Sequence, residues 1–475
     1  MTQLFILFFS IILLFPFQSQ AQNSNIAGNW KGYIDLMGNH LIIKIHFKKN
    51  GTQLTGTIDI PQQGANGLNL QHISHPKKDS VSFGFPAGPG YASFAGTLES
   101  DSTIKGTFSQ NGRQFPFNLK KSNKIETEAT ARKKKELPYH HKNLILQNDS
   151  IKIGGTLTWP ENKSTNQLVI LISGSGAQDR DESLEPIASF KPFATLADSL
   201  TMHGIATFRY DDRGIGESTG NFSQASIDIL ASDVEAIIKH FTQTSIDHHF
   251  KNITLLGHSQ GGIVAGKVAA QDSLVDRLIL MSSPGISLKQ VLRYQVRQTF
   301  EDQYIPENQI EAEIAGREKL MEAIQKDTNI SKAKAEYRQA FEAIQRKSLL
   351  SANKDTSNVS EMGKKQAQAL VSGYGSPQMQ SLLFYDPASD LKKLAIPVLV
   401  LFGGKDTQVP INKNKEPIKR ALKASGSSYQ IKTFPNANHL YQKANTGTVS
   451  EYSELPSRFV DGFIATITNW LKDPK

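Results

Sequence analysis

The sequence predicts two structural domains: a small antiparallel β-barrel or sandwich, followed by a larger α/β domain with a doubly wound, mostly parallel sheet and a helical cap insertion. Three observations support this fold class. A chain of 475 residues is too long for one ordinary hydrophobic core. Apolar and polar residues alternate up to about residue 120, which is the period of half-buried strands. Farther along, short apolar runs alternate with helical patterns, as in a parallel sheet covered by helices.

The N-terminal residues 1–21 are predicted to form a cleaved signal peptide. Residues 4–17 are apolar except for Ser10, and this run is shorter than the roughly 20 residues of a membrane-spanning helix. Ser19 and Ala21 suit cleavage after Ala21, although no Lys or Arg precedes the apolar run. An uncleaved anchor and a buried core segment are the alternatives. We therefore expect an exported protein, periplasmic or secreted, with no stable membrane insertion after signal cleavage.

Residues 22–120 form the predicted antiparallel domain. Apolar residues alternate over 41–47, and Asn50-Gly51 then indicates a tight hairpin turn. A short unit, apolar-x-Gly-Thr-apolar, recurs at 54–58, 94–98 and 104–108, and glycine inside a strand suits a sharply bent sheet. Gly28-Asn29-Trp30 resembles the start of lipocalin-like barrels. A filled core is expected rather than a ligand cavity, and no metal site is predicted at the four histidines His40, His46, His72 and His75.

The charge of the chain is spread rather than concentrated. The formal net charge is +9, and the one dense basic run, residues 132–135, lies in a stretch almost free of large apolar side chains. We interpret residues 121–136 as an exposed linker, and predict no nucleic-acid partner. The sequence contains no cysteine, which excludes disulfides, thiolate metal sites and thiol catalysis.

Residues 137–475 form the predicted α/β domain. The unbroken apolar run Leu168–Ile172 is typical of a strand buried on both faces of a parallel sheet. The same alternation continues with a helix at 193–202, a strand at 205–210, a helix at 227–241, and strands beginning at 253, 277, 397 and 429. Between about 286 and 380 the pattern is helical only, and this stretch is predicted to form a cap over the carboxyl edge of the sheet. Its aromatic and Met positions are expected mainly in the core of the cap.

One motif stands at a strand end in this domain. The apolar strand 253–256 leads into Gly257-His258-Ser259-Gln260-Gly261, and a helical segment follows. A nucleophile elbow requires this order of a strand, a tight turn that contains a serine, and a helix. We predict that strand and helix approach each other so closely at Gly257 and Gly261 that a Cβ atom at either position would clash.

Five motifs in order resemble those of the α/β-hydrolase superfamily, and within it the bacterial esterases of the dienelactone-hydrolase and serine-aminopeptidase-like branch. The motifs are Gly-Ser-Gly-x-x-Asp-Arg-Asp at 174–181, Asp-x-Arg-Gly-x-Gly-x-Ser at 211–218, Gly-His-Ser-x-Gly-Gly at 257–262, Gly-x-x-Asp-x-x-Val-Pro at 403–410 and the histidine segment Asn-Ala-Asn-His at 436–439. The order of the catalytic triad in this superfamily is serine, acid, histidine. The resemblance therefore implies Ser259, Asp406 and His439 as catalytic residues.

The same resemblance implies an oxyanion hole. Its donors are expected to be the backbone N–H of Gln260 and that of Ser175 or Gly176, in the loop after the strand at 168. Ser173 stands where many relatives carry histidine. Two other carboxylates, at 386 and 390, compete with Asp406 for the role of the acid, but neither directly follows a predicted sheet strand.

Other polar residues near these strand ends have structural interpretations. An acidic metal site and a set of buried ion pairs are the two alternatives for Asp179, Arg180, Asp181, Asp211, Asp212 and Arg213. The interleaved arginines favour ion pairs that brace the two loops. His258 is predicted to pack and hydrogen-bond rather than act as a second base. Gly174-Ser175-Gly176 lacks the lysine of nucleotide-binding loops, so no phosphate site is expected.

The sequence thus predicts an exported hydrolase that cleaves small-molecule carboxylic esters through an acyl-enzyme, without a cofactor or metal ion. A serine peptidase or amidase acting on small peptides is the first alternative, because the same elbow serves amides. A ligand-binding protein with a degenerate hydrolase domain is the second. The sequence makes no prediction of the oligomeric state, the acyl and alcohol groups of the substrate, or the role of the β-domain.

Overall fold

A computed structural model describes most of the chain as two compact units, Met1–Thr130 and Ala131–Lys475. The described residues are 26–36, 39–50, 53–60, 65–77, 79–87, 90–110, 113–122, 138–161, 165–184, 190–244, 249–301, 305–351 and 355–473. The predicted signal peptide and the basic run 132–135 lie outside them. No helix within these ranges is long and apolar enough to cross a bilayer.

The first unit is a single antiparallel sheet of nine strands. They are β1 (Gly28–Leu36), β2 (Asn39–Asn50), β3 (Gln53–Ile60), β4 (Ala65–Asn69), β5 (Gln71–Lys77), β6 (Ser80–Ala87), β7 (Gly90–Ser100), β8 (Thr103–Gln110) and β9 (Arg113–Ser122). Their order is β4-β3-β2-β1-β9-β8-β7-β6-β5. Leu70, between the two edge strands, donates its N–H to the carbonyl of Gly56 on β3 at 2.9 Å, so the sheet is nearly closed. This is the barrel-like domain that the period-two pattern predicted.

The interior of this sheet is filled by apolar side chains. Trp30 is buried, and its indole N–H donates to the Ile26 carbonyl at 2.8 Å. The ring of Phe94 stacks on that of Phe83, with centroids 4.7 Å apart. The recurring glycines have a steric cause, since a Cβ atom at Gly106 would lie 2.1 Å from the carbonyl oxygen of the facing strand β7. Close approach of neighbouring strands therefore requires the apolar-x-Gly-Thr unit.

The second unit is built on an eight-stranded sheet. Its strands are β10 (Tyr139–Asn148), β11 (Ile151–Pro160), β12 (Gln167–Ile172), β13 (Ala206–Tyr210), β14 (Asn252–His258), β15 (Val275–Met281), β16 (Val398–Gly403) and β17 (Tyr429–Phe434). Their order is β10-β11-β13-β12-β14-β15-β16-β17. The pairs β10/β11 and β11/β13 are antiparallel, and every later pair is parallel. The carboxyl ends of the parallel strands therefore meet at one edge, where their loops come together.

Helices cover both faces of this sheet. They are α1 (Pro192–Met202), α2 (Ile227–Lys239), α3 (Gln260–Ala269), α4 (Leu288–Glu301), α5 (Glu307–Gln325), α6 (Ile330–Ser351), α7 (Val359–Tyr374), α8 (Pro377–Leu383), α9 (Pro387–Leu391), α10 (Ile411–Ser425) and α11 (Phe463–Lys472). Along β12, Leu168 and Ile170 pack in the core with α2, α3 and α10, whereas Val169 and Leu171 pack in the core with α1 and α11. Burial on both faces explains the unbroken apolar run.

One detail of the helices differs from the sequence prediction, and another agrees with it. The helix expected over 227–241 ends as an α-helix at Lys239, and a π-turn, His240–Thr244, follows it. Among the described residues, the insertion between β15 and β16 contains six helices, α4 to α9, and its core side chains include Tyr337 and Phe341. Those aromatic residues pack within the insertion, as the helical spacing predicted.

Candidate active site

Ser259 lies in the turn between β14 and α3. Its backbone torsions are φ +52° and ψ −122°, a conformation that is strained for any residue other than glycine and that persists only where the surroundings enforce it. The backbone N–H of Ser259 donates to the Met281 carbonyl at the end of β15, at 2.8 Å. The turn is therefore held by the neighbouring strand in the geometry of a nucleophile elbow.

The two glycines of the elbow are required by close packing. A Cβ atom at Gly257 would lie 2.3 Å from the carbonyl oxygen of Gly261. A Cβ atom at Gly261 would lie 2.2 Å from the carbonyl oxygen of Ile172, on the adjacent strand β12. The expectation that strand and helix leave no room for a side chain at these positions is confirmed.

Asp406 and His439 form a buried pair at the same edge of the sheet. Asp406 follows β16, and its Oδ2 lies 2.8 Å from Nδ1 of His439, in the loop after β17. The other oxygen, Oδ1, accepts hydrogen bonds from the backbone N–H groups of Gln408 and Val409, each at 2.8 Å. The side chain of Asp406 is fully buried and fixed in orientation, so Oδ2 accepts a hydrogen bond from Nδ1–H of His439.

The two competing carboxylates have other partners. Asp386 accepts from the backbone N–H of Ala388 at 3.1 Å and thereby caps α9. Asp390 accepts from the hydroxyl of Tyr385 and pairs with Lys393 at 3.0 Å. Neither role brings the carboxylate to the imidazole of His439.

His258 connects the elbow to the histidine loop. Its Nε2 lies 3.1 Å from the carbonyl oxygen of His439, and the two imidazole rings have centroids 4.6 Å apart. Nδ1 of His258 lies 2.7 Å from Oε1 of Glu182. His439 therefore lies beside the residue that precedes Ser259, and His258 is the hydrogen-bonding residue that the sequence predicted.

The loop after β12 passes the elbow on its other side. A Cβ atom at Gly174 would lie 3.4 Å from Cβ of Ser259, so the backbone of this loop is within reach of a group bound to Ser259. Ser175 is exposed, and Gly176 has φ +86° with open space around it. Gln260 is buried at the start of α3, and its side-chain oxygen accepts from Gln378 of α8 at 3.2 Å. The residues named as oxyanion donors thus lie in the two segments that flank Ser259.

Models of two protein families match this part of the chain. The model of the serine aminopeptidase family S33 matches residues 188–371, and that of the dienelactone hydrolase family matches residues 356–459. This region has the α/β-hydrolase fold, and we call it the α/β-hydrolase domain.

Individual proteins are also similar to parts of this chain, with modest sequence identity. Esterase EstD of Thermotoga maritima is 25% identical over 292 residues, which are 60% of this chain and 57% of EstD. Protein phosphatase methylesterase 1 of Candida albicans is 36% identical over 80 residues, 17% of this chain and 21% of that protein. The matched segments thus span about half or less of these two relatives. An esterase of Pyrococcus furiosus has a similar structure, with a TM-score of 0.43, 14% identity, and coverage of 72% of this chain and 94% of that one.

Buried ion pairs brace the strand-end loops of the α/β-hydrolase domain. Arg180 donates to both oxygens of Asp211 and to Glu217, and Asp211 is almost fully buried. Asp181 pairs with Arg209 at 2.7 Å. Arg213 pairs with Asp233 of α2 at 2.6 Å. The ion pairs expected for these side chains are present. Across the described residues, no group of His, Asp and Glu side chains could hold a metal ion.

Two members of that set form no ion pair with any side chain that the structure describes, and the prediction was wrong for them. Asp179 accepts from the backbone N–H groups of Asp181 and Ser183, at 3.1 and 2.9 Å. Asp212 accepts from the Ser173 hydroxyl at 3.0 Å and from the Gln178 N–H at 2.9 Å. Both carboxylates hold the loop that follows β12 rather than a cation, because the nearby arginines are already bound elsewhere.

The pKa of Asp212 is raised to about 8. Burial of the carboxyl group is the largest cause, and the charges of Glu182 and Asp211 add to it. The hydrogen bonds from Gln178 and Ser173 act in the opposite direction but are outweighed. Burial thus disfavours the charged form of the carboxyl group that braces this loop.

Sequence reasoning did not identify Glu182. The side chain is buried, the backbone has φ +53°, and Oε1 accepts from the Gly174 N–H at 2.9 Å as well as facing His258. Its position directly after Asp-Arg-Asp was the available signal, but an acidic residue in a charged run is usually solvated.

Proposed function

We propose that the protein hydrolyses small-molecule carboxylic esters through an acyl-enzyme, with Ser259 as nucleophile, His439 as general base and acid, and Asp406 as the orienting acid. The observation that carries this proposal is the buried Asp406–His439 pair, whose imidazole lies against that of His258, the residue before Ser259 in a strained strand-to-helix turn. Similarity to EstD, whose name describes an esterase, supports the choice of substrate class.

The geometry suggests how the proton moves. Nδ1–H of His439 donates to Asp406 Oδ2, which leaves Nε2 as the proton acceptor. Ser259 Oγ attacks the ester carbonyl carbon, and its proton passes to Nε2. The negative charge develops on the former carbonyl oxygen, where the backbone N–H of Gln260 and that of Ser175 or Gly176 would stabilise it. Such a donor contributes about 3 kcal/mol to the transition state.

The second half of the reaction uses the same base. The proton on Nε2 passes to the leaving alkoxide, so the alcohol departs and Ser259 remains acylated. Nε2 then takes a proton from water, the hydroxide attacks the acyl carbon, and the carboxylic acid is released with the proton returned to Ser259. Asp406 stabilises the imidazolium in both steps, since its backbone hydrogen bonds prevent the carboxylate from turning away.

The test is hydrolysis of short-chain nitrophenyl esters by the wild type and Ser259→Ala. We expect kcat/KM to fall by about 10⁴-fold or more. Ser427→Ala is the matched control, because this buried hydroxyl donates to the Leu394 carbonyl and lies away from the elbow. Equal rates in the wild type and Ser259→Ala would contradict the proposal.

A serine peptidase acting on small peptides is a second candidate, favoured by the serine aminopeptidase family model over residues 188–371. The elbow and the Asp406–His439 pair serve amides by the same chemistry. The discriminating measurement is kcat/KM on aminoacyl-nitroanilides against nitrophenyl esters of the same acyl group. A higher value on the nitroanilides, lost in Ser259→Ala, would assign a peptidase.

We also propose export, from the apolar run at 4–17 and the small residues before position 22. The mature protein would then begin at Gln22. The measurement is the N-terminal peptide of the protein recovered from the periplasm and the medium. A protein that retains Met1 and stays in the cytoplasm would contradict export and leave the hydrolase proposal intact.

A further inference from the structure

His258 is buried between two hydrogen-bond acceptors. Nδ1 faces Oε1 of Glu182 at 2.7 Å, and Nε2 faces the carbonyl oxygen of His439 at 3.1 Å. A backbone carbonyl can only accept a hydrogen bond, so Nε2 must carry a proton. A neutral imidazole would then present a bare Nδ1 to a carboxylate.

Both contacts are satisfied when His258 is an imidazolium. Burial alone would lower the pKa of His258, but the charge and hydrogen bond of Glu182 and the carbonyl of His439 outweigh it and raise that pKa. The other charged or titratable groups nearby are Asp406, whose charge also raises the pKa of His258, and Asp212, whose own pKa is raised in part by the charge of Glu182. The ring of His439 lies against that of His258.

The two carboxylate oxygens of Glu182 differ: Oε1 has two nitrogen partners, whereas Oε2 is buried with no hydrogen-bond partner among the described residues. Its Oε1 accepts from the Gly174 N–H and faces Nδ1 of His258, so two N–H donors converge on one oxygen. Donors that converge in this way favour the charged form of a carboxyl group. The backbone at Glu182 has φ +53°, a conformation that surrounding contacts must enforce.

We propose that Glu182 and His258 form a permanent carboxylate–imidazolium pair that positions the catalytic groups on both sides of Ser259. Through the Gly174 N–H it holds the loop with the expected oxyanion donors. Through the His439 carbonyl it holds the loop with the general base. The pair is a positioning device and does not touch the substrate, and its effect on catalysis rests on the function proposed above.

The expected effect of Glu182→Gln follows from the proton count. The glutamine is similar in size, but it no longer stabilises a charged ring, and a neutral His258 cannot donate to both partners. Whichever ring nitrogen carries the proton, one of the two loops loses its hydrogen bond. We expect kcat on nitrophenyl esters to fall by about 10- to 100-fold, as it does for groups that orient reacting ones, with KM changed less than about threefold.

The direct experiment is ¹⁵N NMR of histidine-labelled protein from pH 6 to 9. The sequence contains 12 histidines. In the wild type we expect one histidine ring whose two nitrogens both stay protonated throughout this range. The signal of this ring should be absent from His258→Gln, which assigns it to His258. It should also be absent from Glu182→Gln. Glu217→Gln is the matched control, since Glu217 is half exposed and pairs with Arg180; it should keep both the signal and the activity.

Two results would overturn the proposal. One is a wild-type spectrum in which every histidine ring is singly protonated at pH 9. This result would overturn the proposal even if Glu182→Gln does not fold. The other is a Glu182→Gln variant with wild-type kcat. Because the spectrum is recorded on the free protein, it is independent of turnover: an inactive protein with the expected signal would contradict the proposed function but not the charged pair.

Discussion

The substitution Gly261→Ala tests the packing that holds the elbow. The added Cβ atom would lie 2.2 Å from the Ile172 oxygen and 2.3 Å from the Ser173 oxygen, distances that real Cβ atoms essentially never show. Both oxygens belong to backbone at the end of β12, so relief requires a shift of about 1 Å in the strand or helix. Gly266→Ala in the same helix is the matched control, since its Cβ would meet only the end of the Leu391 side chain, at 3.3 Å.

The magnitude follows from comparing the two variants. Both gain about 1 kcal/mol of helix propensity when alanine replaces glycine. Gly261→Ala alone also incurs the overpacking cost, which we place at the upper end of the usual range, about 3 kcal/mol, because backbone must move. Gly266→Ala is therefore expected to be neutral or slightly stabilised, and Gly261→Ala to be about 3 kcal/mol less stable than this control.

Thermal unfolding followed by near-ultraviolet circular dichroism measures this difference. At about 2 °C per kcal/mol for a unit of this size, the two variants should differ in Tm by about 6 °C. Ester hydrolysis should also fall in Gly261→Ala, because the displaced backbone leads into the loop with the expected oxyanion donors. Two variants that unfold within 1 °C of each other would refute the packing argument.

Three further predictions concern buried carboxylates. Asp406→Asn should lower kcat by about 10⁴-fold without unfolding the protein, because an amide nitrogen cannot accept from His439 Nδ1–H; ester kinetics and circular dichroism check this. Asp212 has a folded pKa of about 8, above the usual value of about 4, so its stabilisation is complete below pH 4 and is lost as the pH rises through 8. Denaturant unfolding should then show that the free energy of unfolding falls less between pH 6 and pH 9 in Asp212→Asn than in the wild type. Arg180→Met leaves Asp211 buried without its cation and should cost about 3 kcal/mol of unfolding free energy; a Tm equal to that of the wild type would contradict the bracing role.

The features that sequence predicted well are those with a local period or motif. Leu168–Ile172 is apolar on both faces, and the structure buries both faces. The glycines at 257 and 261 followed from the approach of a strand and a helix that are adjacent in the chain. The pairing of Asp406 with His439 was expected from the order of motifs alone, and the structure brings the two side chains into contact.

The features that sequence did not predict depend on contacts between distant segments. Glu182 meets His258 across 76 positions, and Gln378 of the cap meets Gln260 across 118. Neither residue belongs to a periodic pattern, and their neighbours along the chain give no information about these partners. Asp212 was misassigned for a related reason, since the type of a charged residue does not reveal which of several cations the fold brings near it.

Labelling with a fluorophosphonate probe tests the central claim most directly, because the reagent modifies a serine only when a base activates it. Intact mass spectrometry should show one adduct per wild-type chain, and peptide mapping should place it on Ser259. Ser259→Ala should remain unlabelled, and Asp406→Asn should react far more slowly. An adduct on another residue, or no adduct in a folded protein that hydrolyses nitrophenyl esters, would contradict Ser259 as the nucleophile.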